Sequence, residues 1–505
     1  METGTIYEKE DTFSKLDENF ASLKEYVKTA AGHTEIHVTE KEIFKRLQEI
    51  GLLLVQEFVQ ACGTGYPAGE SAPREEGKPL PYKGTCPCDY FSIFGEIQIP
   101  RARYLRPAGT YHYPLDQQLN LPQTKYSYLL QKWIQGRAVE TNYREAVERI
   151  NEMFDFSLCA SVPQRLGKQL GKEAQVFYET NAAPAPETEG PCLAISADGK
   201  GVRIVRSERS DSPSPAEPRA RRGKGEKPGI KKEAVVTVDF TFHPGRREPE
   251  EIVNALLHQT PAAEQPEPEP VNPPAPKARV ALNKHQNATL QGKKEAMTYL
   301  MERIKKRDPE GKKPLIVLFD GDLNWEIVLN KVLTAYDYHS RVDAVILDLI
   351  HVCEYVWDMA TALHGELSSE RSAWVKDKLL LILSGNVGRV IGGLRQMLTK
   401  NILSRAAKNA LQKAVTYFDN HSHMMNYAEY LAKGYPISTG LVEAACGSLV
   451  KDRMEHSGMR WSIKGAQAIL RQRAVMKNGD WQSFWKTYIE SQREILYADG
   501  YRQAA

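Results

Sequence analysis

The apolar positions along the chain change period several times, and each change marks an element. Ile43, Leu47, Ile50, Leu53, Leu54 and Phe58 recur at helical spacing, and Gly63-Thr-Gly65-Tyr-Pro-Ala-Gly69 breaks them. Tyr90 to Tyr104 then alternates around Gly95, which predicts a β-hairpin or a pair of short strands. From residue 125 the helical period returns. Tyr128, Leu129, Leu130 and Trp133 predict one helix, Asn142 caps a second carrying Ala146, Val147 and Ile150, and Ser157 to Ser161 turns into a third.

Asn181-Ala-Ala-Pro-Ala-Pro-Glu-Thr-Glu-Gly190 has the composition of a linker, and Thr260 to Lys277, rich in Pro and Glu, that of a disordered segment. The apolar run that starts at Leu193 and the stretch Lys232 to Phe242 read as strands, and Leu315 to Phe319 and Ala344 to Leu347 as buried strands. A helix is predicted from about Gly292 to Lys306, and one follows each of the last two strands. Glu366 to Leu431 is almost wholly helical, with Leu379, Leu380, Leu381, Ile382, Leu383, Val390 and Ile391 as its expected core. Strands first, then alternating strand and helix, is the order of an RNase H-like α/β domain, here interrupted by an all-α insertion.

The expected divisions are an N-terminal helical region (1–79), a β-hairpin region (80–124) and a helix-turn-helix-like DNA-binding region (125–180). A catalytic α/β domain follows in two parts around the all-α insertion at 365–432, the first at 191–364 and the second, together with C-terminal helices, at 433–505. A chain of 505 residues is long enough for several such units. No run approaches membrane-spanning length, and the polar start Met1-Glu-Thr-Gly-Thr lacks the pattern of a signal peptide, so a cytoplasmic protein is expected. Seven scattered cysteines form no disulfide framework. Cys86-Pro-Cys88 is too closely spaced for a zinc knuckle and reads as structural.

A net charge of +3 says little, but its distribution is uneven. Arg203, Arg206, Arg209, Arg219, Arg221, Arg222, Lys224, Lys227, Lys231 and Lys232 crowd one Ser-, Pro- and Gly-rich segment, read either as a solvated insertion or as a loop that contacts phosphates. The third helix of the tri-helical region would expose Gln164, Arg165, Lys168, Gln169 and Lys172, which suits a DNA reader, although small tri-helical units are common.

Three carboxylates carry the candidate chemistry. Asp198 ends the apolar run Leu193-Ala-Ile-Ser-Ala-Asp-Gly-Lys200, Asp320 ends Leu315-Ile-Val-Leu-Phe-Asp-Gly321, and Glu443 opens a helix in Ile437-Ser-Thr-Gly-Leu-Val-Glu-Ala444. A strand that stops at Asp-Gly sets its carboxylate at the rim of a sheet, and the glycine permits a sharp turn beside it. Each motif alone also has a plain structural reading, as a turn or as an acid near the start of a helix. Asp-Asp-Glu in strand, strand, helix order points to a divalent-metal site for phosphodiester chemistry. His421-x-His423 has no further ligand nearby in sequence and is set aside.

Tyr435-Pro-Ile-Ser-Thr-Gly-Leu-Val-Glu-Ala-Ala-Cys446, continuing through Leu449-Val-Lys-Asp-Arg453 to His456-Ser-Gly-Met-Arg-Trp-Ser462, resembles the glutamate signature of bacterial insertion-sequence transposases of the ISKra type. Ile346-Leu-Asp-Leu-Ile-His-Val-Cys-Glu-Tyr-Val-Trp357 is similar to the Asp/Cys-x-x-His helix those enzymes share with Mutator-like transposases, and Pro114-Leu-Asp116 resembles the stretch after their hairpin. The resemblance covers about Tyr90 to Ala474.

It implies that Asp198, Asp320 and Glu443 form a DDE triad binding two Mg²⁺ or Mn²⁺ ions, with Asp198 bridging both, and that Asp348 and His351 are an accessory pair. Asp322 is a nearby alternative to Asp320, but the family pattern sets its ligand directly after the strand. Arg460 and Trp461 are read as base-stacking or phosphate contacts, or as core packing in the case of the Trp. The implied partners are double-stranded DNA, both element ends and target, and at least a second copy of the chain. The chain departs from the family at Arg106-Pro-Ala-Gly109, where relatives often carry the Cys-x-x-Cys of a zinc ribbon. A catalytically silent DNA-binding relative, and a nuclease that cleaves without joining, remain as alternatives.

Overall fold

A computed structural model of the chain describes residues 12–66, 72–208, 231–257, 281–400 and 402–501. The fold is mixed α/β. The chain divides into two units, Met1–Glu173 with Trp481–Ala505, and Ala174–Asp480. The C-terminal helix Trp481–Tyr501 groups with the first of these units. Its Tyr497 hydroxyl donates to the Leu121 carbonyl at 2.7 Å. Among the described residues, no helix is long and apolar enough to cross a membrane.

The first unit opens with α1 (Thr12–Ala30) and α2 (Ile36–Ala61). The apolar positions that set the period of α2 are split between two environments, for Leu47, Leu54 and Phe58 are exposed while Gly51 and Val59 are buried. Gly51 is required by packing, because a Cβ there would lie 2.5 Å from the Phe94 ring. After the short pair β1 (Arg74–Glu75) and β2 (Lys78–Pro79) come β3 (Tyr82–Ser92) and β4 (Gly95–Leu105), an antiparallel hairpin that begins earlier than its alternation suggests. β5 (Tyr111–His112) extends β4. Cys86 and Cys88 share one face of β3, and Cys88 packs on the cluster of Val59, Ile97, Ile99 and Leu115, a structural position. After α3 (Pro114–Leu119), α4 (Tyr128–Ala138), α5 (Tyr143–Phe154) and α6 (Ser161–Thr180) form the expected tri-helical unit around Leu130, Ile134, Val147, Ile150, Val162 and Leu166. Asn142 caps α5 as its sequence suggests, accepting from the Glu145 N–H at 2.9 Å.

The second unit is built on a five-stranded sheet of β6 (Cys192–Arg203), β7 (Lys231–Phe242), β8 (Leu282–Thr289), β9 (Leu315–Phe319) and β10 (Val342–Leu347). Their spatial order is β10-β9-β6-β7-β8. The pairs β6–β7 and β7–β8 are antiparallel, and β6–β9 and β9–β10 are parallel. The uninterrupted apolar runs of β6 and β9 are buried from Cys192 to Ala197 and from Leu315 to Phe319, as central strands covered on both faces must be. β8 has no apolar run and is silent in the sequence pattern. Its polar groups are satisfied by partners on the chain that covers it: the Gln286 N–H donates to Asn478 at 3.0 Å and the Gln286 amide to the Lys477 carbonyl at 3.1 Å.

The helices of this unit are α7 (Pro249–Leu256), α8 (Lys293–Arg307), α9 (Leu323–Tyr336), α10 (Leu349–His364), α11 (Ser369–Leu383), α12 (Val387–Lys400), α13 (Arg405–His421), α14 (Tyr427–Lys433), α15 (Gly440–Ala445) and α16 (Ile463–Lys477). α15 runs on through a π-helical segment, Cys446–Lys451, into a last turn, Asp452–Met454. In α11 and α12, Leu379, Ile382, Leu383, Val390 and Ile391 are buried, and Leu380 and Leu381 are half-buried.

The stretch 181–190 is a linker in composition only. Glu189 forms a buried ion pair with Arg307 at 2.7 Å, Arg307 reaches Asp239 on β7 at 2.7 Å, and Arg303 reaches the same carboxylate at 2.9 Å. Burial alone would raise the Asp239 pKa, but Arg303 and Arg307 outweigh it and hold the group at about 2. Asp239→Ala leaves Arg303 without its counter-charge and Arg307 with Glu189 alone, and should lower the unfolding free energy in urea by about 3–5 kcal/mol. Because the folded pKa is depressed, the stabilisation is present above pH 3.8 and should fade as pH falls towards about 2.

Candidate functional site

The register of the three parallel strands sets the site. The last β6–β9 pair is Ser196 with Leu318, so two residues further on Asp198 stands opposite Asp320. The last β9–β10 pair is Phe319 with Leu347, so one residue further on Asp348 stands opposite Asp320 on the other side. A row of three carboxylates therefore crosses adjacent strands, at the carboxyl ends of β9 and β10 and within β6.

Asp198 does not terminate its strand as expected. β6 continues through Asp198 and Gly199 to Arg203 because β7 keeps pairing with it, Asp198 opposite Val236. Only the β9 side is open at that level. Asp320 does end its strand, and Gly321 turns away at φ 87°, where a Cβ would lie 2.9 Å from both Leu347 Cδ1 and the Tyr417 hydroxyl. Asp322 is occupied elsewhere: it caps α9 by accepting from the Asn324 N–H at 3.0 Å and forms an ion pair with Lys293. Burial would raise its pKa, but the hydrogen bond from Lys293 brings it below the usual carboxylate value.

Asp348 is fully buried and accepts three hydrogen bonds from the chain. Oδ1 accepts from the N–H groups of Thr439 at 2.9 Å and Ile350 at 3.1 Å, and Oδ2 accepts from the Thr439 hydroxyl at 2.6 Å. Thr439 is the N-cap of α15, whose first turn carries Glu443. Asp348 thus fixes the helix that brings Glu443 to the row. One turn on, the Cys446 thiol donates to Asp198 Oδ2 at 3.2 Å, and burial followed by the Asp198 charge pushes its pKa well up, so it stays a donor.

Among the described residues, Asp348, His351 and Glu443 are the only group of three or more His, Cys, Asp or Glu whose ligand atoms all lie within 4.8 Å of one another. Asp198 and Asp320 adjoin this group without joining it. Glu443 is partly exposed, and its pKa is raised by desolvation, then by Asp348, with Asp198 adding to the effect against His351. Burial would depress the His351 pKa, but a 3.1 Å contact with Glu354 and the charges of Asp348 and Asp320 raise it.

The other predicted contacts separate. Gln164, Arg165, Lys168 and Lys172 are exposed along one face of α6, whereas Gln169 is half-buried, its amide donating to Tyr488 at 3.5 Å. Arg460 is exposed. Trp461 is not available to a base: it is buried, its indole N–H donates to the Met454 carbonyl at 3.3 Å, and its backbone pairs with Arg203 and Val205. Arg221, Arg222 and Lys224, like Thr260 to Lys277, lie outside the described residues.

Sequence reasoning missed Thr439, Cys446 and Tyr417. Thr439 carries a local signal, a hydroxyl residue directly before a helix. Cys446 lies one turn after Glu443 on the same face, which only the register of Asp198 makes meaningful. Tyr417 donates to the Asp320 carbonyl at 2.7 Å from a helix 97 residues away and has no local signal.

Thr439→Val keeps the shape but leaves a buried carboxylate oxygen without its donor, and should cost about 1.5–3 kcal/mol in urea unfolding. The His351 ring should titrate above 6.5 by NMR in metal-free buffer, and Glu354→Gln should lower its midpoint. Since this folded pKa is raised, its stabilisation is complete below pH 6.5 and disappears as pH rises through the folded value.

No protein-family model matches the chain, and no curated protein matches it.

Proposed function

We propose that the chain is a DDE transposase, resembling the ISKra type, that cleaves DNA at element ends and joins them to target DNA. The observation that carries this reading is the register-matched row Asp198, Asp320 and Asp348, with the Glu443 helix fastened to its outermost member. The strand order β10-β9-β6-β7-β8, three antiparallel strands followed by two parallel ones, supports an RNase H-like domain, with α11 to α14 as an all-α insertion between β10 and α15.

Asp198, Asp320 and Glu443 offer hard oxygen donors suited to Mg²⁺ or Mn²⁺. The raised pKa of Glu443 fits that role, since a carboxylate crowded by Asp348 and Asp198 carries a repulsion that a cation relieves. When bound, divalent ions supply Lewis-acid polarisation of a phosphate oxygen and a more acidic attacking water. The chain's own groups do the rest. Cys446 holds the Asp198 carboxylate, Tyr417 holds the end of β9 through the Asp320 carbonyl, and Glu354 orients His351 beside Glu443. Hydrolysis breaks a P–O bond and frees a 3′-hydroxyl, and that hydroxyl then attacks a target phosphodiester, forming a new P–O bond as the target strand's own 3′-oxygen leaves with a proton, with no covalent enzyme intermediate. The basic face of α6 binds duplex DNA.

The test incubates purified protein with labelled element ends and a target plasmid, in Mg²⁺ or EDTA. Metal-dependent joining should occur, and Asp320→Asn should abolish it while leaving DNA binding intact. Cleavage without joined product would mark a nuclease, and binding without either reaction a silent DNA-binding protein. The active complex should have the mass of at least two chains on DNA.

A further inference from the structure

We infer that one side of the α1–α2 helix pair is the contact surface for a second copy of this chain, the two pairs closing face to face into a four-helix bundle without DNA. The period of α2 makes the case first. Ile43, Leu47, Ile50, Leu54 and Phe58 recur as the apolar stripe of a helix built to be covered, yet Leu47, Leu54 and Phe58 are 47%, 52% and 60% exposed. The β-hairpin covers a different side of α2, through Gly51, Leu52, Val55 and Val59.

The helix α1 extends the same face. Leu16, Leu23 and Ala30, seven residues apart, are buried and mark the line on which α1 packs against α2. On one side of that line Ser22 and Tyr26 meet Arg46 of α2, whose guanidinium donates to the Ser22 hydroxyl at 3.1 Å and sits 4.6 Å from the Tyr26 ring centroid. By the 3.6-residue period Phe20 and Val27 fall on the other side, and they are 48% and 43% exposed. On α2 the same period sets Ile43 and Ile50 between Arg46 and the line of Leu47, Leu54 and Phe58. The exposed apolar residues of both helices therefore share one side of the pair. Lys45, Glu49 and Gln60 occupy the opposite side of α2, so α2 keeps a polar face for water as well.

With Ile36 at the start of α2, these side chains leave on the order of 600 Å² of apolar surface in water, the upper end of what a monomer exposes. Two copies face to face remove about 1,200 Å² before any rim is counted, the area at which specific pairs become stable. A second copy is favoured because the rim is self-complementary. Asp17 and Lys24 edge the face on α1, acid towards its start and base towards its end, and the Lys24 ammonium sits 4.6 Å from the Phe20 centroid. A two-fold axis that reverses α1 over its copy sets each Asp17 beside the other copy's Lys24. The segments outside the described residues, 1–11, 67–71, 209–230, 258–280, 401 and 502–505, hold no apolar helical repeat to cover the face instead. The pairing does not rest on the proposed DNA chemistry, whose carboxylates belong to the other unit.

The experiment weighs the full chain by sedimentation velocity at micromolar concentrations, in EDTA and without DNA. The wild type should have the mass of two chains. Leu54→Glu with Phe58→Glu should have the mass of one, as should Leu47→Arg, and because these side chains are exposed in the single chain both variants should keep the wild-type helix content. Lys45→Glu, on the polar side, should leave the pair intact. Asp17→Lys and Lys24→Glu should each weaken it about threefold, and the two together should restore it. A wild type that stays a single chain, or a pair that survives Leu54→Glu with Phe58→Glu, would overturn the surface. Neither result bears on metal-dependent joining, which fails or succeeds separately.

Discussion

The buried carboxylate of Asp348 is the constraint on which the site depends. It sits at the end of β10, begins α10 by accepting from Ile350, and receives both the N–H and the hydroxyl of Thr439 at the start of α15. Two segments separated by 91 residues are thereby fastened at one group. An unpaired buried carboxylate would cost several kcal/mol, so the helix carrying Glu443 is held wherever β10 ends. The helices α11 to α14 can occupy the intervening sequence because closure of the site does not rely on a short connection.

This division of labour explains why one acid of the row is unlike the others. Asp348 accepts from three protein donors. Asp198 is held by the single donor Cys446 and its own backbone, and Asp320 by the Asp322 N–H alone. Oxygens left over on the second pair are what a cation can use. The metal-sized cluster of Asp348, His351 and Glu443 is therefore better understood as a scaffold, Asp348, beside two groups with capacity to spare.

Much of this was legible in the sequence where chemistry is local. The run Leu315 to Phe319 gave its strand to the residue, Asn142 its cap, and Thr439 to Glu443 the start of a helix, because each depends on neighbours a few positions away. What was not legible depended on partners distant in the chain. β8 is polar and is a strand through its pairing with β7, with Asn478 and Lys477 satisfying Gln286. Asp198 reads as a strand end, yet β7 extends the strand past it. Glu189 reads as linker, yet Arg307 buries it.

The same contrast bears on how the site came to be open on one side only. β6 is paired with β7 along its whole length but with β9 only as far as Ser196. The mismatch in pairing length leaves the β9-facing edge of Asp198 free while its backbone stays fixed by the longer ladder, and Gly321 removes the β9 chain from the gap by turning at positive φ. A carboxylate on a fully paired strand is rigid, and one beside an interrupted pairing is accessible. Asp198 is both, which is a combination a simple strand-end aspartate does not provide, and it is why the departure from the expected turn strengthens rather than weakens its candidacy.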